Sequence, residues 1–333
     1  MTEKRAAEQL ALLKRGTKTI LLAESASIGD GIHLLESSEV NRLASLYDQR
    51  KDLKVMKFVP ASGAATRMFS ELLKDWKEEV SSDTTRRFKE RYPSLALFQE
   101  LPLPQSDEAL FSLLFEELKL QHAPKGTIPF HRYTEGSRAA FEEHLVEGTA
   151  YAISDGKVHL HFTIAPMHMD AVKKKMQKWT ETYGERYGVT FDVEYSVQDP
   201  ATDTFALEID GSLVKHIDGS LLLRPGGHGS LIHNLNDIDA DILFIKNVDN
   251  VAPDRFKADT LLYKKALAGL LIQVREEARA VLKDLEIDAT ELALSKARRL
   301  LSELGLDIDE NKDVSLQSLK NLLDRPFRVC GMV

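Results

Sequence analysis

Five short segments hold the residues of this chain whose types and spacing suit phosphate chemistry. The first, Val59-Pro-Ala-Ser-Gly-Ala-Ala-Thr-Arg-Met68, falls between a predicted strand and a predicted helix. Small residues at Ser62, Gly63 and Ala64 let backbone N–H groups approach phosphate oxygens, and the helix N-terminus adds a favourable dipole near Thr66. Arg67 supplies a planar fork of donors. In the second, Ala123-Pro-Lys-Gly-Thr-Ile-Pro-Phe130, Lys125 is held between Pro124 and Gly126 as a compact point charge for phosphate. The third, Gln198-Asp-Pro-Ala-Thr-Asp-Thr204, ends a strand, and the Gln198 carboxamide offers both donor and acceptor to a base edge.

The fourth segment is Arg224-Pro-Gly-Gly-His-Gly-Ser230, in which Gly226, Gly227 and His228 expose backbone groups to a planar base or a phosphate. In the fifth, Phe244-Ile-Lys-Asn-Val-Asp-Asn-Val251, a buried strand delivers Asp249 and Asn250 to its C-terminal end, where open α/β sheets place their sites. A carboxylate there suits Mg²⁺, which takes a few carboxylates plus substrate phosphates. Singly, each segment also fits a tight connection, a polar loop or an Asx turn. Their order and placement carry the reading.

The elements that must position these groups are legible as hydrophobic period. Leu53 to Val59 reads as a strand, followed by a helix with Met68, Phe69, Leu72, Leu73 and Trp76 on one face. Residues 77–123 are mostly charged and helical, interrupted by Pro93, Pro102 and Pro104. Val158 to Ile164 alternates as a half-buried strand does. A helix over 169–183, a strand over 189–197 and a hairpin over 207–223 with a first turn at Asp210-Gly211 follow. The apolar run Ile242 to Ile245 suits a strand buried on both faces. Beyond Pro253 a helical stripe takes over, from Leu267 through Leu282, with shorter stripes at 292–304 and 316–323. Four parts are therefore expected: a helical segment over 1–50, an α/β core over 51–253, a helical insertion or subdomain over 254–324, and a strand over 325–333 that returns to the core. A chain that stops inside such a strand is expected to continue beyond Val333.

Composition narrows the function classes. The 333 residues are 43% hydrophobic and 29% charged, as in an ordinary globular protein, with a formal net charge of −8. That balance argues against a nucleic-acid surface, which needs a basic footprint. Cys330 is the single cysteine, so no intramolecular disulfide and no Cys-rich zinc site is available. No secretory signal or apolar run of about 20 residues is present, so the expected setting is the cytoplasm, away from membranes.

In order and spacing the five segments resemble the pyrophosphorylase superfamily that includes UDP-glucose and UDP-N-acetylhexosamine pyrophosphorylases. There a Gly-rich loop ending in Thr-Arg, a Pro-Lys-Gly, a base-contacting Gln, a Pro-Gly-rich segment and a Val-Asp-Asn occur in the same sequence. The chain also resembles the bacterial family known as domain of unknown function 4301. The resemblance covers roughly 55–250 and the last strand. It implies an α/β, three-layer nucleotidyltransferase (glycosyltransferase-A-like) fold with a mixed, mostly parallel sheet and an added helical block. It also implies that Gly63, Thr66 and Arg67 bind a triphosphate, Lys125 a phosphate, Gln198, Gly226 and Gly227 the base, and Asp249 the metal. Two departures stand out. The first loop carries alanines where relatives have more glycine, and His228 stands where uridylyltransferase-type relatives often show Asn. The superfamily also has a strand followed by a phosphate-binding lysine. Phe327 to Val333 resembles that strand and stops short of such a lysine, so the chain as given is expected to bind substrates and catalyse weakly.

The implied reaction is Mg²⁺-dependent transfer of a nucleotidyl group from a nucleoside triphosphate, UTP favoured, to a sugar 1-phosphate, with release of pyrophosphate. A sugar 1-phosphate is already an anionic nucleophile, so positioning and charge stabilisation replace a general base. Arg67, Lys125 and Asp249 are the expected catalytic groups. Two other readings compete. His159 and His161 share a strand face, with His168 and Asp170 close behind, as in metal-dependent hydrolases. A non-catalytic module that binds a nucleotide sugar would also keep the pocket.

Overall fold

In a computed structural model, the described residues are 3–16, 19, 21–22, 24–63, 65–306 and 314–331. They divide into two compact units, one of residues 1–19 and 52–257, the other of 20–51 and 258–333.

The first unit is built on a parallel sheet. Its strands are β1 (Val55–Pro60), β2 (Lys157–Thr163), β3 (Thr190–Ser196) and β4 (Ile242–Ile245), in the order β4-β1-β2-β3, every neighbouring pair parallel. Ile153–Ser154 adds a short antiparallel pairing to β2. All six residues of β1 are buried, as a central strand covered on both faces requires. Helices α1 (Thr66–Lys77), α2 (Ala140–Tyr151) and α3 (Met169–Tyr187) lie between the strands in the chain. The result is a mixed α/β unit with a mostly parallel sheet, as the resemblance implies. Because β2 and β3 follow β1 on one side while β4 pairs on the other, the strand order reverses between β1 and β4. At such a switch point the loops leaving the strands part and open a crevice at their carboxyl ends.

Two further features of this unit bear on that crevice. Helix α2 packs on one sheet face, where Phe141 meets Phe162 of β2 edge-on and Tyr151 tilts against Phe244 of β4. A satellite core joins Ala65, Phe69 and Leu72 of the α1 region to Phe98, Leu110, Phe111, Leu114, Phe115, Leu120 and Ile128. The 77–123 stretch is shorter in helix than its composition suggests: Asp83–Arg91 and Asp107–Ser112 are α-helical, and irregular turns fill most of the remainder. The expected hairpin resolves into two successive tight turns, with bridges Leu207 to Leu213 and Lys215 to Leu221.

The second unit is helical. Helix Ser37–Gln49 packs Val40, Leu43 and Ala44 against Ala266 of α4 (Asp254–Ile287), and Gly269 is required there because a Cβ would overlap the Leu43 carbonyl. Helices Glu291–Glu303 and Leu316–Leu323 close on Ala278, Val281 and Leu285. The terminal segment departs from expectation. Residues 325–331 form no strand, and Phe327 packs against the helical cluster instead.

Candidate functional site

The loops leaving β1 and β4 carry the groups with phosphate chemistry, and the backbone fixes where they stand. After β1 the chain passes through Ser62 and Gly63 and turns into α1, whose first residues are Thr66 and Arg67. The Lys125 segment docks onto this turn. The Ala65 N–H donates to the Ala123 carbonyl at 3.0 Å and the Lys125 N–H to the Gly63 carbonyl at 3.3 Å, while the Thr66 hydroxyl donates to the Gln121 carbonyl at 2.8 Å. Gly126 permits the close approach, since a Cβ there would overlap the buried Phe141 ring. The docking brings the Lys125 ammonium across the crevice to the β4 loop, where its Nζ lies 2.5 Å from Asp249 Oδ2. That hydrogen bond, with the Lys125 charge, holds the Asp249 carboxyl below the usual carboxylate range. Asn250 closes the turn by donating its N–H to the Asn247 carbonyl at 3.1 Å.

A second group gathers at the end of β3. Gln198 Nε2 donates to the Thr202 hydroxyl at 3.1 Å, and Thr202 in turn donates to the Asp199 carbonyl at 2.6 Å. Gly226 sits against the Thr202 carbonyl and the Ser230 side chain, leaving no space for a Cβ. The structure thus brings Gln198 and Gly226 together, and sets Gly63, Thr66, Lys125 and Asp249 together. Arg67, Gly227 and His228 are exposed. Ala64 lies outside the described residues.

Among the described residues no group of three or more His, Cys, Asp or Glu side chains is placed to hold a metal ion by itself. Magnesium does not require one: it binds through one or two carboxylates and completes its shell with phosphate and water. The exposed Asp249 carboxylate beside Asn250 fits that donor set. His159 and His161, by contrast, are engaged by neighbours on β3 and on the short Ile153–Ser154 strand. His159 contacts the Ser154 carbonyl at 3.0 Å and Asp192 at 3.5 Å; His161 contacts Ser196 Oγ at 2.8 Å and Glu194 at 3.3 Å. In register these are direct cross-strand partners, His159 opposite Asp192 and His161 opposite Glu194.

A buried charge cluster below the crevice escaped sequence reasoning. Lys57 of β1 and Glu147 of α2 are both fully buried, 3.4 Å apart. Glu147 also accepts from Lys246 Nζ at 2.7 Å and from the Tyr151 hydroxyl at 2.5 Å. One turn earlier, Glu143 accepts from Lys257 at 2.7 Å, from Tyr133 at 2.6 Å and, through Oε1, meets His131 at 3.0 Å. Burial alone would raise the Glu147 pKa, but the Lys57 and Lys246 charges outweigh it and keep the carboxylate ionised. His144, between the two glutamates, is held well below its ordinary pKa by burial and by the Lys57 charge. It is therefore neutral, and because its Nε2 meets the Val248 carbonyl at 3.1 Å, that nitrogen must carry the proton. One signal for this cluster was available in the sequence: a lysine inside the apolar run Val55 to Pro60 needs a buried counter-charge.

Fold and site together define an α/β protein whose candidate site lies in the crevice at the carboxyl ends of a parallel sheet. The chain belongs to the family described as domain of unknown function (DUF4301), which matches residues 1–109 and 105–333. No curated protein matches it. Among solved structures, the uridine diphosphate N-acetylglucosamine pyrophosphorylase from Trypanosoma brucei in complex with inhibitor is similar, with 12% identity and a TM-score of 0.41. The similarity covers 72% of this chain and 39% of that one, so the chain spans about two fifths of the length of the structure it resembles. Among the described residues, no helix is long and apolar enough to cross a membrane.

Proposed function

We propose that the protein transfers a nucleotidyl group from a nucleoside triphosphate, UTP favoured, to a sugar 1-phosphate, in a three-layer fold of the nucleotidyltransferase type. The observation that carries this reading is the Lys125–Asp249 contact, which sets a cation and a carboxylate side by side across the switch point between β1 and β4. In this reading the Ser62–Arg67 turn and the exposed Arg67 guanidinium hold the β- and γ-phosphates. Lys125 offsets charge at the α-phosphate, and Gln198 with Gly226, Gly227 and His228 receives the base. Asp249, with Asn250 beside it, would hold Mg²⁺; bound there, the ion would withdraw charge from the phosphates. On this reading Lys125 would turn from Asp249 to a phosphate, leaving the Asp249 carboxylate to hold the cation.

Thermal shifts with UTP, GTP, CTP, ATP and dTTP, each with and without Mg²⁺, test the reading. A triphosphate at about 100 times its Kd stabilises the fold by roughly 2.7 kcal/mol. One triphosphate should stand out and require Mg²⁺, and adding a sugar 1-phosphate should then release pyrophosphate. A flat response to all five would refute the assignment.

A further inference from the structure

The Asp249 loop leaves a strand poorly suited to hold it. Strand β4 is only four residues long and lies at the sheet edge, where among the described residues it pairs with β1 alone. Such a strand gives its C-terminal loop little rigidity, yet the loop must present a carboxylate to a defined point in the crevice. Two side chains of α2 supply what the strand lacks. Glu147 Oε2 accepts from Lys246 Nζ at 2.7 Å, and His144 Nε2 donates to the Val248 carbonyl at 3.1 Å. These tethers reach the residue that enters the loop and the residue that immediately precedes Asp249. They come from positions three apart on α2, which share one helix face.

The sheet register explains why α2 can do this. Lys57 of β1 pairs with Phe244 of β4, so the two point to the same face, and Lys246, two residues on, continues that face. Glu147 therefore faces Lys57 and Lys246 together, and Lys57 Nζ also donates to the His144 carbonyl at 3.1 Å. The helix is tied to both strands of the switch point, whose loops carry Gly63 and Asp249. The groups that make these ties are deeply buried: Glu147 and His144 are 0% exposed and Lys246 is 7% exposed. Buried ionic groups contribute little net stability against well-packed apolar residues, but in some proteins they fix one geometry.

We propose that His144 and Glu147 are positioning residues that clamp the Lys246–Asn250 segment and so aim the Asp249 carboxylate into the crevice. The functional half of this inference rests on the nucleotidyl-transfer reading; the clamp itself does not. His144→Gln keeps an N–H donor near the position of Nε2, whereas His144→Leu removes it. Amide hydrogen exchange on the ligand-free chain should rise about tenfold at 247–250 in His144→Leu, the equivalent of one net hydrogen bond, and stay near wild type in His144→Gln. Exchange in 242–245 should be unchanged in both. Lys246→Met, which cuts the other tether, should loosen the same residues and serves if His144→Leu does not fold. Titration with Mg·UTP should show affinity weakened about tenfold in His144→Leu and restored in His144→Gln.

Unaltered exchange at 247–250 in His144→Leu and Lys246→Met, or equal loosening by Leu and Gln at position 144, would overturn the clamp. Loosening without any Mg·UTP binding by wild type would overturn the nucleotide reading and leave the clamp standing. Wild-type binding that His144→Leu fully retains would overturn the aiming role.

Discussion

Lys125 and Asp249 lie 124 residues apart in the chain and meet with Nζ 2.5 Å from Oδ2. Neither end is deeply buried: the side chains are 27% and 43% exposed. An exposed pair of this kind contributes about 0–1 kcal/mol to stability. Lys125→Met and Asp249→Asn should therefore each shift the free energy of unfolding by less than about 1 kcal/mol, read from urea midpoints. A loss of several kcal/mol would make the pair a structural clasp and remove the reason to read it as a substrate site.

Glu147 should behave in the opposite way. Glu147→Gln leaves Lys57 and Lys246 buried without the carboxylate between them, and breaking a buried pair costs about 3–5 kcal/mol. Chemical denaturation should show this loss. A change of less than about 1 kcal/mol would mean that the cluster reorganises or admits water readily.

How much of this was legible from the sequence depended on whether the signal was local. The run Ile242 to Ile245 and the alternation of Val158 to Ile164 marked strands, although burial departs from both expectations: Ile245 is exposed at the sheet edge, and Leu160 to Thr163 are all buried in a strand flanked on both sides. The stripe from Leu267 to Leu282 marked α4 by its helical period. Phe327 misled: an apolar residue in a β-prone segment looks alike whether it enters a sheet or, as here, fills a gap beside helices. His159 and His161 suggested a metal because their strand alternation was visible, while their partners Asp192 and Glu194 belonged to a strand whose register was not. The five segments were noticed because turn and phosphate chemistry are local, and the structure brings three of them, around Gly63, Lys125 and Asp249, into contact. The clamp was missed because Lys57, Glu147 and Lys246 come together only once the sheet has formed.

Acid should weaken the fold in two stages. His144 has its folded pKa depressed below 6.5, so as pH falls past that value the unfolded chain takes up a proton that the folded chain refuses. Stability then falls by up to about 1.4 kcal/mol per pH unit from this group, down to the lowered folded value. Glu147 is also depressed, so its contribution is present above its ordinary 4.5 and is lost only on further acidification. Unfolding free energies measured between pH 7.5 and 5.5 should fall more steeply in wild type than in His144→Gln. Equal slopes would mean that His144 titrates normally.

Gly126 should tolerate no side chain. Gly126→Ala places a methyl group into the Phe141 ring, and overpacking of this kind costs about 1–3 kcal/mol. It should also displace Lys125 from the Gly63 carbonyl, so thermal melting and exchange at the Lys125 amide should change together. A variant with wild-type melting would show that the segment shifts freely.

The most direct test of the central claim is calorimetric titration of UTP into wild type and Asp249→Asn, with and without Mg²⁺. Wild type is expected to bind in the presence of Mg²⁺ and at least about tenfold more weakly without it, and Asp249→Asn should lose that dependence. Equal affinity in both proteins, or binding indifferent to Mg²⁺ in wild type, would contradict the assignment of Asp249 as the group that holds the metal beside the phosphates.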